Sequence, residues 1–84
     1  MDYKILWSAR AAKQMERLDR SIAKRIYEKV DQLQQNPERY VEKLVRYPYY
    51  RLRVGDYRVI LDIQHDLVRI MILRVGHRSN VYNL

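Results

Sequence analysis

Arginine and tyrosine dominate the second half of the chain. From Arg46 onward there are seven arginines, no lysine and only three acidic residues. A guanidinium fork matches the geometry of a phosphate group better than a lysine ammonium does. Four tyrosines lie among these arginines, where their rings could stack on nucleobases or fill amphipathic strand positions: Tyr47, Tyr49, Tyr50 and Tyr57. These residue types indicate a surface that binds a polyanion.

The composition of the whole chain supports this interpretation. Its 84 residues include 17 lysines and arginines against 10 acidic residues, for a net charge of +7. This charge predicts nucleic acid, an anionic membrane surface or an acidic protein as partner, with a merely solvated basic surface as the alternative. Without cysteine and with only two histidines, the sequence predicts neither a disulfide nor a metal site. Residues 1–7 lack a signal-peptide pattern, and the longest aliphatic run, residues 70–73, cannot span a membrane, so we expect a cytoplasmic protein.

Apolar periodicity and turn residues predict one α+β domain over residues 1–84. Residues 3–7 are predicted to form a short strand, Ser8 and Ser21 to cap two helices, and Asn36-Pro37 to end the second helix. The second helix has an apolar stripe: Ile22, Ile26, Val30 and Leu33. Three further strands are predicted over residues 49–54, 57–63 and 67–75, after an irregular loop at 38–47. The order β-α-α-β-β-β predicts a helical hairpin on one face of a three-stranded antiparallel sheet, with the other face open.

The Gly55-Asp56 pair predicts a type II′ hairpin, which determines which side chains share a face of the sheet. A two-residue turn at His65-Asp66 would extend this register to the last strand. The face toward the helices would then hold Leu52, Val54, Tyr57, Val59, Leu61, Ile63, Val68, Ile70 and Ile72. The open face would hold Arg51, Arg53, Arg58, Asp62, Arg69 and His77, with Ile60, Met71 and Leu73 between them.

This register places Arg53 directly opposite Arg58. Like charges at such a position are destabilising, and a broken local rule often marks a functional site. We therefore interpret the pair as part of an anion site; the alternative is that both side chains extend into solvent and interact weakly.

The stretch YRLRVGDYRVI at residues 50–60, followed by VGHR at 75–78 and by Tyr82, resembles the RelE/ParE toxin superfamily and its RelE branch in particular. The predicted element order matches too, so the resemblance spans the chain. It implies a type II toxin that cleaves mRNA in the ribosomal A site without a cofactor or metal. It also implies a small acidic RelB-like antitoxin as partner, in a toxin–antitoxin hetero-oligomer.

The resemblance also implies roles for individual residues. Arg58 matches the family's phosphate-stabilising arginine, Arg78 the arginine after the last strand, and Tyr82 the tyrosine that stacks on or orients a base. Arg51 and Arg53 match positions that are often lysine in the family, which leaves the general base open.

Metal-free RNA cleavage uses the 2′-hydroxyl as nucleophile, so protons must move and charge on the phosphorane must be stabilised. Arginines suit the second task but stay protonated, so His77 and Tyr82 are the candidates for proton transfer. As neighbours along a strand, His77 and Arg78 would lie on opposite faces of the sheet, and we expect a bulge at Gly76 to bring Arg78 into the site. The predicted catalytic residues are Arg53, Arg58, His77, Arg78 and Tyr82, and the predicted RNA-binding residues are Arg51, Arg53, Arg69 and Arg74.

Three other functions fit the same sequence. A ParE-like toxin would inhibit DNA gyrase without nuclease activity, and a nucleic-acid-binding module would need only the basic charge. An inactive relative would keep only antitoxin binding. The combination of Arg58, Arg78 and Tyr82 favours the nuclease, because a pure binding protein does not need it.

Overall fold

The computed structural model of the chain describes residues 2–82. Strand β1 spans Lys4–Trp7 and leads into helix α1, Ala9–Glu16. Ser8 caps α1 as predicted, since its side-chain oxygen accepts a hydrogen bond from the Ala11 N–H at 3.0 Å.

Helix α2 spans Arg20–Asp31, and the prediction that Ser21 caps it is wrong. Asp19 has extended backbone and occupies the cap position, and its carbonyl accepts the Ala23 N–H at 2.9 Å. Ser21 therefore lies inside the first turn. After α2 the chain continues through two 3₁₀ turns, Gln32–Gln34 and Pro37–Arg39.

The sheet has five strands rather than three. Beside β1 these are β2 (Glu42–Lys43), β3 (Tyr50–Val54), β4 (Tyr57–Gln64) and β5 (Arg69–His77), in the order β1-β5-β4-β3-β2. The three predicted antiparallel strands form its centre. The sheet is mixed because β1 pairs with β5 in parallel, and β2 adds a short antiparallel strand at the other edge.

The core lies between the two helices and one face of the sheet. The helical segments contribute Ala11, Met15, Ile26, Val30 and Leu33. The strands contribute Leu52, Val54, Val59, Leu61, Ile63, Ile70, Ile72 and Val75. Removal of this apolar surface from water is the main favourable term in folding. Because both helices pack on this face, the opposite face of the sheet is not covered by a helix.

The β4–β5 connection differs from the predicted two-residue turn. Residues His65–Leu67 form a 3₁₀ turn and Val68 adopts a left-handed backbone with φ 50°, so Gln64 pairs with Arg69. The register is thereby shifted by two residues, and Asp62 lies opposite Met71 instead of Arg69.

A bulge lies in β5 at Leu73, not at Gly76 as expected. Leu61 pairs with Ile72 but Ile60 pairs with Arg74, which leaves Leu73 as the extra residue. The Ser8 hydroxyl donates a hydrogen bond to the Leu73 carbonyl at 2.9 Å and so holds the bulge. Beyond it the alternation of β5 reverses.

Neither helix within residues 2–82 has both the length and the apolar character needed to cross a lipid bilayer.

Candidate functional site

The β3–β4 hairpin places a group of arginines on the sheet face away from the helices. Val54 pairs with Tyr57 and Arg53 with Arg58, as the Gly55-Asp56 turn predicts. Only the first turn residue has positive φ, Gly55 at 58°, which is the pattern of a type II′ turn.

The bulge in β5 adds a fourth arginine to this face. Arg51 pairs with Ile60, and Ile60 pairs in turn with Arg74 on the other side. We call the surface formed by Arg51, Arg53, Arg58 and Arg74 the arginine face. Three adjacent strands contribute to it, so its backbone positions are held by the ladder of the sheet.

Glu42 belongs to the same face and was missed by sequence reasoning. Strand β2 pairs Glu42 with Arg51, and the carboxylate contacts the Arg51 Nη2 at 3.2 Å and the Arg53 Nε at 3.1 Å. A two-residue strand has no alternation that could have predicted it. Glu42 offsets part of the positive charge where two guanidinium groups meet.

Arg58 has a different set of partners. Its Nη1 donates hydrogen bonds to the carbonyl oxygens of Gly55, at 2.7 Å, and of Tyr57, at 2.8 Å. The guanidinium therefore lies over the β3–β4 turn, while Arg53 is paired with Glu42. These separate partners explain how the sheet tolerates two arginines at one cross-strand pair.

The chain after β5 folds back over the arginine face. The N–H groups of Asn80 and Val81 both bond to the His77 carbonyl, at 2.9 and 3.1 Å, which turns the chain. Val81 is only 2% exposed and lies against Gly76, where a Cβ would meet the Val81 Cβ at 3.4 Å. Ile60 is fully buried although it points away from the helix-side core. The C-terminal segment thus covers the middle of the face.

This fold-back places Tyr82 against Arg51. The Arg51 Nη1 donates a hydrogen bond to the Tyr82 hydroxyl at 3.0 Å, and the Arg51 Cζ lies 5.9 Å from the ring centroid. The hydrogen bond to Tyr82, with a further contribution from Glu42, raises the pKa of Arg51 above its ordinary value. Arg51 therefore stays cationic throughout the neutral pH range.

Two of the predicted residues lie elsewhere on the sheet. Arg69 pairs with Gln64 at the far end of β4, where its Nε donates to the Gln64 Oε1. Gln64 in turn donates to the Asp62 carboxylate at 3.1 Å. His77 pairs with Tyr57, and their rings meet edge to face at 5.7 Å. The expected position of His77 on the open face is thus not observed, because the bulge at Leu73 reverses the facing of the last part of β5.

Arg78 lies beside the turn that holds Arg58. Its backbone N–H bonds to the Asp56 carbonyl at 2.9 Å, and its side chain is exposed. The structure therefore brings Arg51, Arg53, Arg58 and Tyr82 to one surface and leaves Arg78 at the edge of that surface. Within residues 2–82 no group of three or more histidine or acidic side chains could hold a metal ion.

Comparison with known proteins identifies relatives of this chain. A family profile described as "ParE toxin of type II toxin-antitoxin system, parDE" matches residues 5–82. A search of curated proteins found no significant match.

Solved structures of RelE proteins are similar over nearly the whole chain. The toxin–antitoxin complex RelBE2 from Mycobacterium tuberculosis contains a chain with 26% identity and a TM-score of 0.86, covering 93% of this chain and 100% of the other. The archaeal RelE–RelB complex from Pyrococcus horikoshii gives 30% identity, a TM-score of 0.80, and coverage of 96% and 100%. The RelB–RelE complex from Methanococcus jannaschii gives 27% identity, a TM-score of 0.73, and coverage of 93% and 95%.

Proposed function

Because the chain belongs to the RelE/ParE superfamily of type II toxin–antitoxin toxins, we propose that it is an endoribonuclease that cleaves ribosome-bound mRNA. The observation that carries the proposal is the arginine face, on which Arg51, Arg53 and Arg58 lie with Tyr82 against Arg51. Fixed guanidinium groups on a rigid sheet are suited to the charge that develops on a phosphate during cleavage.

The proposed reaction uses the RNA's own 2′-hydroxyl as nucleophile. A bond forms between the 2′-oxygen and phosphorus, and the bond from phosphorus to the 5′-oxygen breaks. The products are a 2′,3′-cyclic phosphate and a 5′-hydroxyl. One proton leaves the 2′-oxygen and one reaches the departing 5′-oxygen, so the site needs an acceptor and a donor besides its arginines.

Glu42 is suited to act as the proton acceptor. It is a carboxylate that contacts the arginine face, 3.1–3.2 Å from two guanidinium groups. A phosphate bound by Arg51 and Arg53 would replace Glu42 as their partner and free the carboxylate beside the 2′-hydroxyl. This assignment fills the general-base role that the arginines at positions 51 and 53 cannot fill.

The proposed proton donor is Tyr82, whose hydroxyl would deliver a proton to the departing 5′-oxygen. Its hydroxyl already contacts Arg51, so it can reach a nucleotide whose phosphate binds that arginine. Arg78 would join the site by turning its exposed side chain toward the β3–β4 turn. His77 packs against Tyr57 and would contribute only after a rearrangement of the C-terminal segment.

We propose a small acidic RelB-like antitoxin as the protein partner, in a hetero-oligomer. The three similar toxins from M. tuberculosis, P. horikoshii and M. jannaschii come from structures of RelB–RelE-type toxin–antitoxin complexes. The net charge of +7 favours an acidic partner. A partner that contacts the arginine face or moves Tyr82 would prevent RNA binding.

Gyrase inhibition is the second candidate function, because the matching family profile is that of ParE toxins. The two functions are separated by incubating the purified protein with ribosome-bound mRNA, free mRNA, and gyrase with relaxed plasmid. The nuclease predicts primer-extension stops within the translated codons and unchanged supercoiling. Loss of supercoiling with intact mRNA would support the ParE-like function instead.

A further inference from the structure

The loop between β2 and β3 exposes apolar side chains beside the arginine face. A hydrogen bond from the Leu44 N–H to the Tyr49 carbonyl, at 2.9 Å, closes it. Val45 at its tip is fully exposed, and Tyr47 is 42% exposed. Single exposed apolar residues are common, but two in one short loop next to a charged site indicate a contact surface.

This loop and the C-terminal segment form the walls of an open groove. Six of the described residues line it: Leu44, Val45, Arg46, Tyr47, Arg51 and Tyr82. These six residues combine apolar surface, two tyrosine rings and two guanidinium groups, and none of them is acidic. Arg51 belongs both to this groove and to the arginine face, so the two sites are continuous.

We propose that the groove binds a nucleobase of single-stranded RNA, and that Tyr47 and Val45 form the wall that contacts this base. The inference rests on the proposed nuclease function and extends it to the nucleotide next to the phosphate held at the arginine face. A nucleobase has a flat apolar surface on which a tyrosine ring can stack, and the backbone phosphates on either side of the nucleotide complement Arg46 and Arg51. Because Arg51 belongs to both the groove and the arginine face, successive nucleotides of one RNA strand would place a phosphate on the face and the adjacent base in the groove, and this continuity favours RNA over an acidic protein segment.

The test measures binding of a fluorescent 2′-O-methyl RNA hexanucleotide, which cannot be cleaved, by anisotropy. Because Tyr47→Ala removes one base-stacking ring, it should weaken RNA binding about 5- to 150-fold, whereas Tyr47→Phe keeps an aromatic ring and should bind RNA as the wild type does. Tyr40→Ala is the matched control, because Tyr40 is 44% exposed but lies outside the groove. Val45→Asp should also weaken binding, and as Val45 is fully exposed this change disturbs no packing.

An abasic version of the hexanucleotide shows whether the base itself is bound. Removal of the bound base should weaken binding by the wild type and cause no further loss in Tyr47→Ala. Equal affinities of Tyr47→Ala and Tyr40→Ala would overturn the proposal and would indicate a protein partner for the loop. Failure of the wild type to bind the hexanucleotide would overturn it as well.

The cleavage assay on ribosome-bound mRNA distinguishes this inference from the proposed function. RNA binding that depends on Tyr47 as expected, without cleavage of mRNA, would contradict the nuclease function but would still support the groove as a nucleobase site. Cleavage by a wild type whose RNA affinity does not depend on Tyr47 would contradict the groove alone.

Discussion

Arg53 and Arg58 lie at one cross-strand pair, yet each guanidinium has its own partner. Arg53 is paired with Glu42, and Arg58 donates to the carbonyl oxygens of the β3–β4 turn. These contacts hold the two guanidinium groups in place on the arginine face. They are also contacts that a phosphate can replace, because a guanidinium has several donors and a phosphate accepts them bidentately.

Substitution of Glu42 tests how the charges of this face are used. Glu42→Gln removes one negative charge from beside Arg51 and Arg53, so RNA should bind at least as tightly as to the wild type. Cleavage should slow by at least about 100-fold if the carboxylate accepts the 2′ proton. Anisotropy with the uncleavable hexanucleotide and single-turnover cleavage measure the two effects separately. A variant that cuts at the wild-type rate would show that Glu42 only offsets charge.

Some positions of the site can be predicted from the sequence because they depend on one short turn. The Gly55-Asp56 turn fixes the Arg53–Arg58 pair with no information from the rest of the chain. Glu42 cannot be predicted in this way, since its position depends on a two-residue strand formed at a sheet edge. The facing of His77 depends on the bulge at Leu73, which is held by Ser8 from a distant part of the chain.

Among the elements, the C-terminal segment lies over part of the arginine face and carries Tyr82, one of the proposed site residues. It is attached through Val81, which fits into the space left by Gly76, and it presents Tyr82 to Arg51. An alanine Cβ at position 76 would make ordinary van der Waals contact with Val81, whereas a larger side chain would hold the segment away from the sheet. The segment therefore couples packing on this face to the position of Tyr82.

Truncation of the anchor should affect activity through Tyr82. Val81→Ala shortens a buried side chain by two carbon atoms, each of which contributes about 0.8 kcal/mol of burial free energy. The substitution should loosen the C-terminal segment without unfolding the helix-side core, to which Val81 does not belong. We expect its cleavage rate to fall toward that of Tyr82→Ala. The double variant should be no slower than Tyr82→Ala alone, as a double-mutant cycle would measure. Additive losses would mean that Val81 acts independently of Tyr82.

The elements themselves were predicted well where a repeating pattern extends over several residues. The two helices and the three central strands follow from apolar periodicity, and the structure confirms their order. The parallel pairing of β1 with β5 is a contact between distant segments and has no local pattern. The 3₁₀ turn at His65–Leu67 was missed because Val68 adopts a left-handed backbone that β-branched residues rarely adopt.

At the level of the whole molecule, the sheet has one face that packs against the helices and one that we propose binds RNA. The helices cover the apolar face, and the arginine face is covered only in part by the C-terminal segment. The net charge of +7 adds a longer-range attraction for a polyanion. Substitutions on the arginine face should therefore change binding more than stability.

The salt dependence of RNA binding measures how many of these charges contact phosphate. If the four residues of the arginine face each contact one phosphate, a plot of the logarithm of the association constant for single-stranded RNA against the logarithm of the salt concentration should have a slope of about −3. Arg53→Ala should reduce its magnitude by about 0.7, because one counterion-releasing contact is lost. Arg10→Ala, on the exposed surface of α1, should leave the slope unchanged. Equal slopes for Arg53→Ala and the wild type would place the RNA elsewhere.

The role of the arginine face in RNA cleavage can be tested by single-turnover cleavage of ribosome-bound mRNA by the wild type, Arg58→Ala and Arg10→Ala. Arg58 contacts turn carbonyls on the arginine face, and Arg10 lies on a helix that packs against the opposite face. We predict cleavage by the wild type and Arg10→Ala at similar rates, and a rate about 100- to 1000-fold lower for Arg58→Ala. Equal rates for all three proteins, with Arg58→Ala folded by circular dichroism, would contradict the assignment of this face to RNA cleavage.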